Sequence, residues 1–442
     1  MSQEMKLLVE RALECAKKYG AQDAFASVSH GQSVDITWRK KKVENMSSTG
    51  TSALSLDLYV DGRYSAHSTS DLRDASIDAF IKRCVEVTRL LEPDAFRGLA
   101  DPSKYEERTT ADLEMTDASI EKMTPEDLIT MSRELEDAAN AHSEAPIQDV
   151  SCGASYDRTA FCSATSNGFF GERSLTSVSN YTEVVLKSPD GKIPSDYSFS
   201  YSHHKAHLLP SKTVSDDAVK RALRCLNQKK LPTKARTALF DNRAAVRLMN
   251  HYLEPISGGA IDQKQSYFLG KLGQRCGSSL LTLVDMPHIP GGPNSRAYDN
   301  EGMSTHDRVI FEGGVLKQYN LSNYYARKLK LDVTSSSFTN LVMPNSKDGK
   351  SLEELIKDVE DGILITGFLG GNKDSVRGDF SYGIIGIAIE HGELTTPVSE
   401  MNINGNFTTL WDNLTAVGND PNLYSSYMIP SLRIDNVVIS GS

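Results

Sequence analysis

Leu54 to Ser68, LSLDLYVDGRYSAHS, is the stretch whose reading decides the fold. Leu54, Leu56, Leu58 and Val60 alternate with Ser55, Asp57 and Tyr59, the period-two pattern of a strand with one buried face. Asp61-Gly62 then supplies a two-residue turn of the kind that joins antiparallel strands, and Arg63 to Ser68 runs back. Upstream, Val34, Ile36 and Trp38 alternate in the same way, so the hairpin belongs to a half-buried antiparallel sheet. Helical patterns flank it. Met5, Leu8, Ala12, Cys15 and Tyr19 recur at three- and four-residue steps before Gly20, and Ile77, Ile81, Cys84, Thr88 and Leu91 do so before a breaker-rich connector at Pro93, Gly98 and Pro102.

Further along, Thr124-Pro125-Glu126-Asp127 joins an N-cap, a proline at the first helical position and early acidic charge, which predicts a helix carrying Leu128, Met131, Leu135 and His142. Strand alternation resumes from Ile147 to Leu186, with Asn167-Gly168 as a turn, and a helix is expected over about Asp216 to Leu226. The polar linker Asn227 to Arg236, with Pro232, marks a boundary. The expectation is an α+β protein of two lobes: residues 1–230, an N-terminal sheet packed with helices, and residues 231–442, a β-rich C-terminal lobe. Paired glycines at 258–259, 291–292, 313–314 and 370–371 punctuate the second lobe as tight turns or places of close backbone approach.

The chain has 442 residues, 24% charged, with a formal net charge of −10. That balance excludes a phosphate-backbone binder, which needs a clustered basic excess. The one dense basic run, Arg39-Lys40-Lys41-Lys42, reads as a strand end or hairpin tip. Six scattered cysteines without C-x-x-C spacing read as core residues of a reducing compartment. The N-terminus lacks a signal-peptide pattern, and no run approaches the ~18 apolar residues of a membrane span. A cytoplasmic protein with no nucleic-acid or membrane partner is expected.

The chemistry-bearing stretch is Asn250 to Gly259, NHYLEPISGG. A zinc-protease helix places two imidazoles on one side through H-E-x-x-H or H-E-x-x-x-H spacing, with the Glu beside the first activating the metal-bound water. Here Tyr252 follows His251, Pro255 and Ile256 stand four and five residues on, and Glu254 is three away. One histidine with a nearby Glu falls short of the three protein ligands of a catalytic zinc, so no metal site is assigned. Other constellations remain open. His203-His204-x-x-His207 reads as a polar loop or a surface metal site; His251, His288 and His306 with Asp285, Asp299 and Asp307 could converge on a replacement ion; Cys276 is a structural thiol or a nucleophile near His288.

Several segments together resemble the TldD/PmbA family, specifically its PmbA (TldE) branch: GAQDAFASVSHG at 20–31, the hairpin at 54–68 with Ser68 to Asp71, ISGGAIDQKQSYFLGKLGQ at 256–274, YDNEGM at 298–303, GGVLKQYNLSNYYARKL at 313–329, RGDFSYGIIGIAIEHGEL at 377–394 and INGNFTTLWDNLTAVGND at 403–420. They cover nearly the whole chain in order. The resemblance implies a two-lobed α+β subunit of a heterodimeric peptidase, in which the TldD-like branch carries the zinc helix and the PmbA-like branch lacks it. Aligned on the following Ser-Gly-Gly, His251 falls on the first zinc-binding His, Tyr252 on the general-base Glu and Ile256 on the second His. The family's late cysteine ligand has no counterpart after Cys276.

The implied role is a non-catalytic partner of a TldD-type zinc metalloprotease that degrades unfolded peptides, with zinc held by the partner and no cofactor bound by this chain. Zinc-activated water supplies most of such a rate, and a general base adds ~10²- to 10⁴-fold, so this chain alone should not cleave. A peptide groove is expected along Gly367 to Ile389 with the segment around Gly291 to Gly302; its candidate lining is Gly291, Gly292, Gly367, Gly378, Asp379 and Ser381. The alternatives are a self-sufficient hydrolase with an unrecognised site, and a regulatory binding protein, as the older family name, modulator of DNA gyrase, suggests. A homodimer in isolation is also expected from the family's symmetry.

Overall fold

The structure is a computed structural model that describes residues 2–189 and 191–441. α1 (Ser2–Tyr19) leads into a meander of β1 (Asp23–Arg39), β2 (Lys42–Val60) and β3 (Arg63–Thr69), followed by α2 (Asp74–Thr88). Val60 pairs with Arg63 across the Asp61-Gly62 turn, where φ is +50° and +73°, as a two-residue hairpin requires. Lys40 and Lys41 also take positive φ between β1 and β2, so the basic run is a hairpin tip. α2 stops at Thr88, short of the expected Leu91, because Leu90 and Leu91 bond back only three residues and Leu91 turns outward.

α3 (Pro125–Asn140) begins with a reciprocal capping box, Thr124 and Asp127 each serving the other's backbone N–H. His142 lies just past its end and bonds Asp216 at 2.9 Å. β4 (Ile147–Thr165) and β5 (Phe170–Leu186) meet at the Asn167-Gly168 turn, and β6 (Ser195–Ser202) and α4 (Ser211–Leu223) follow. α4 starts five residues before the expected Asp216, directly after Pro210, which precedes the first turn without supplying a side-chain cap.

These strands form one antiparallel sheet, ordered β3-β2-β1-β4-β5-β6. On β1, Ala24, Ala26, Val28, Val34, Ile36 and Trp38 are buried on one face, while His30 and Gln32 of the same face are not. α1 and α2 cover one end of that face, and α3 and α4 the other.

The second lobe contains β7 (Lys234–Phe240), α5 (Asn242–Leu253), α6 (Gly258–Asp262), β8 (Leu283–Asp285), β9 (Arg308–Glu312), β10 (Val315–Leu316), α7 (Asn323–Leu329), β11 (Leu341–Val342), α8 (Leu352–Lys357), β12 (Asp361–Lys373), β13 (Asp379–Glu390), β14 (Glu393–Asn406), α9 (Phe407–Leu410), β15 (Leu414–Val417), β16 (Tyr427–Met428) and β17 (Leu432–Ser440). Strands β14-β13-β12-β7-β17-β15 form one sheet, and pairing of Asn402–Asn404 with Val438–Ser440 joins β14 to β17, closing a five-stranded ring. Strands β10-β9-β8-β11-β16 form a smaller sheet. Between them sits a core rich in fully buried aromatics: Phe240, Tyr252, Phe268, Phe311, Phe407 and Trp411.

The lobes are clamped by a buried ion pair. Arg221 of α4 reaches Asp241 of the second lobe at 3.1 Å, with side chains 8% and 7% exposed, and also meets Asp196 at 3.3 Å and the Thr366 carbonyl at 3.2 Å.

Candidate functional site

Asp241 caps α5 by accepting from the Ala244 N–H at 2.8 Å. The helix then sets Arg247 and His251 one turn apart on the same side. The His251 ring stacks on Tyr382 of β13, centroids 4.9 Å apart and 18° between planes. Burial, then the positive charges of Lys373 and Arg247, hold its pKa below the ordinary histidine value, which favours the neutral imidazole. Glu254 is already engaged by an ion pair with Lys373. Tyr252 points the other way, into the core, against Phe268, Phe311 and Trp411. Its hydroxyl donates to the Cys276 carbonyl at 2.7 Å, and its own carbonyl accepts from Tyr267 at 2.5 Å. Ile256 is 1% exposed in the same core. Ser257 caps α6, whose Gly258 must lack a side chain because a Cβ there would lie 2.6 Å from Tyr325 Cβ.

Beside α5 runs the distal half of β12. β7 pairs with β12 only over Gly362–Ile365, so among the described residues Leu369–Lys373 have a strand neighbour on the β13 side alone. Gly370 and Gly371 bulge there at φ +103° and +147°, and Leu369 is 55% exposed. Of the sequence candidates, Gly367, Gly378, Asp379 and Ser381 fall on this ribbon. Nothing stands where a Gly367 Cβ would be, Ser381 pairs with Asn372, and Asp379 accepts from Asn406 at 2.8 Å. Gly291 and Gly292 have different surroundings. The Gly291 N–H donates to the Leu113 carbonyl at 2.8 Å, and the Gly302 end of that segment packs against Phe169, so the segment lies against the first lobe.

The rival constellations also resolve. His203 is buried with Nδ1 2.6 Å from the Thr176 carbonyl, and His204 bonds the Glu114 carbonyl, as a polar loop would. Asp285, Asp299, His306 and Asp307 do line one cavity of about 240 Å³. Asp285, however, is saturated by Arg308 and Thr339, and His251 keeps other company. Burial raises the Cys276 thiol pKa, the opposite of an activated nucleophile. All six cysteines are free.

Residues 24–88, 118–226 and 233–441 match the profiles of PmbA/TldA metallopeptidase domain 1, central domain and C-terminal domain. The crystal structure of a candidate DNA gyrase modulator from Bacteroides thetaiotaomicron superposes with a TM-score of 0.95 at 38% identity, covering 99% of both chains. The chain belongs to the PmbA/TldE family. Metalloprotease PmbA of Escherichia coli O157:H7 is 28% identical over 98% of this chain and 95% of its own. TldE from Thermococcus kodakarensis shares the fold, with a TM-score of 0.86 at 19% identity over 98% of this chain and 100% of that one.

A metallopeptidase family raises the question of zinc, and in this PmbA/TldE chain the residues at α5 do not fit one. His251 has two cations and a stacked phenol as neighbours, the adjacent carboxylate is paired to a lysine, and the next two candidate positions are core residues. Among the described residues no three His, Cys, Asp or Glu side chains converge to hold a metal. Nor, among those residues, is any helix long and apolar enough to cross a membrane.

Proposed function

We propose that this chain is the substrate-holding partner subunit of a TldD-type zinc peptidase, and that it positions unfolded peptide rather than cleaving it. The observation that carries the reading is the environment of His251: one imidazole stacked on Tyr382 and facing the cations Arg247 and Lys373, with Tyr252 and Ile256 withdrawn into the core. Such a site offers no water of lowered pKa and no carboxylate free to take a proton, the two things a metallopeptidase needs. What it does offer is an open strand edge. An extended peptide added along Leu369–Lys373 would gain main-chain hydrogen bonds with little sequence preference, flanked by Gly367, Gly378, Asp379 and Ser381 and backed by the His251–Tyr382 stack. Six free cysteines fit work in the reducing cytoplasm.

The test is co-expression with a family member bearing the H-E-x-x-x-H helix, followed by sizing, zinc analysis of each chain and cleavage of an unfolded peptide. The expected result is a heteromeric complex that cleaves, with zinc in the other subunit and neither zinc nor cleavage in this chain alone. One tightly held zinc per copy of this chain, with proteolysis in the absence of any partner, would overturn the reading.

A further inference from the structure

Between the lobes lies a cavity of about 400 Å³, lined from the first lobe by Asp57, Tyr59 and Tyr64, from the connector by Arg97, and from the second lobe by Glu301 and Tyr324. Its size is that of a small-molecule site. The walls are aromatic: Tyr59 and Tyr64 lie 5.3 Å apart, and Tyr324 meets Tyr325 at 4.9 Å. These rings already show what they attract. The Arg97 guanidinium sits 3.8 Å from the Tyr324 centroid and 4.3 Å from that of Tyr64, with its Nε 3.9 Å from Asp94. Arg97 is therefore satisfied by two π faces and a carboxylate of its own.

The cavity's two other charged groups are not so served. Glu301 accepts one neutral bond, from the Asn323 N–H at 3.0 Å, and Asp57 accepts from the Tyr64 hydroxyl. Neither has an ion pair among the described residues. The nearby Arg327 is solvent-exposed and turns its guanidinium to the Leu99 carbonyl at 2.8 Å. Burial, reinforced by Asp299 and Asp57, pushes the Glu301 pKa up to about 7, and burial raises that of Asp57. Two carboxylates therefore face the aromatic walls with only the fields of Arg97 and Arg327 to oppose them, both guanidiniums being held by other partners, which leaves the cavity short of one cation.

We propose that this seam cavity binds the primary ammonium group of an amino-acid-sized ligand, with Asp57 and Glu301 as its counter-charges and the tyrosines as its walls. Charge-assisted hydrogen bonds to two half-buried carboxylates supply the affinity, and the rings select an organic ammonium over a hydrated inorganic ion. Because Asp57 belongs to one lobe and Glu301 to the other, occupancy ties the lobes together and stabilises the fold by mass action. The proposal does not depend on the peptide-holding reading of α5.

Calorimetric titration of the full chain near neutral pH tests it, with L-leucinamide, L-leucine, 1,5-diaminopentane and N-acetyl-L-leucinamide as probes. Saturable binding of at least one free amine is expected, with a raised melting temperature and no binding of the acetylated amide. Leucinamide without leucine identifies a peptide N-terminus, both together a free amino acid, and the diamine alone a basic side chain or polyamine. Asp57→Asn and Glu301→Gln keep shape and hydrogen bonds, so each should fold, as circular dichroism will read, and each should weaken binding at least tenfold, about 1.4 kcal/mol. No saturation by any amine, equal binding of the acetylated amide, or unchanged affinity in a folded Glu301→Gln variant would overturn the proposal.

Discussion

Replacing Tyr252 by Phe separates two roles that the position could play. In the structure the ring is 1% exposed, and its hydroxyl makes one bond, to the Cys276 carbonyl at 2.7 Å. Phe keeps the ring contacts and removes only that donor, leaving a carbonyl without it. The cost of such a loss is about 1–3 kcal/mol, against about 3–5 kcal/mol for truncation to Ala, which would also empty the space between Phe268, Phe311 and Trp411. At roughly 2–4 °C per kcal/mol for a lobe of this size, the melting temperature should fall by several degrees. Calorimetric melting of the variant, together with peptide cleavage by the assembled complex, is the assay. If Tyr252 is structural, stability drops and turnover per folded complex is unchanged. A Tyr252→Phe chain that melts with the wild type while the complex loses tenfold or more in kcat would refute the reasoning, since the hydroxyl would then be acting on substrate.

Two further outcomes concern the clamp and the first lobe. Arg221→Met should cost about 3–5 kcal/mol in urea unfolding by stranding Asp241 in a buried site, and the Arg221→Met/Asp241→Asn double variant should regain part of that loss. An additive double variant would show that the pair does not interact. The His142 pKa is raised in the fold, first by its bond to Asp216, so the folded protein holds that proton more tightly than the unfolded chain. The resulting stability is fully present below about pH 6.5, the unfolded value, and is lost as pH rises through the higher folded value. His142→Gln should therefore destabilise more at about pH 5.5 than at about pH 8.5, and equal loss at both would exclude the ion pair.

Local chemistry was the legible part of the fold. The Asp61-Gly62 and Asn167-Gly168 turns, the capping box at Thr124 and the alternation of β1 and β2 depend on neighbours a few residues away, and each appears where its residues predict it. Sheet order and ring closure do not have that property: nothing in β17 announces that Val438 will pair with Asn404. At the candidate site, the departures at Tyr252 and Ile256 were readable as residue types, but that Tyr252 faces an aromatic core and His251 lies on Tyr382, more than a hundred residues later, depends on packing. Glycine content alone puts the Gly291 pair beside Gly367, yet the Gly291 N–H is bonded to the Leu113 carbonyl. The seam cavity left no sequence signal, because Asp57, Arg97, Glu301 and Tyr324 come from four separate elements and share no spacing.

Closing β7 against β17 also orders events at the ribosome. Thr237 bonds Asp435 across 198 residues of sequence, so the first strand of the second lobe must wait for nearly all of that lobe to be synthesised before it gains this neighbour. The six strands of the first lobe's sheet all end by Ser202 and are synthesised well before that, while the nascent second lobe, still open, exposes apolar strand edges. That interval is when this polypeptide is most exposed to aggregation and to capture by chaperones.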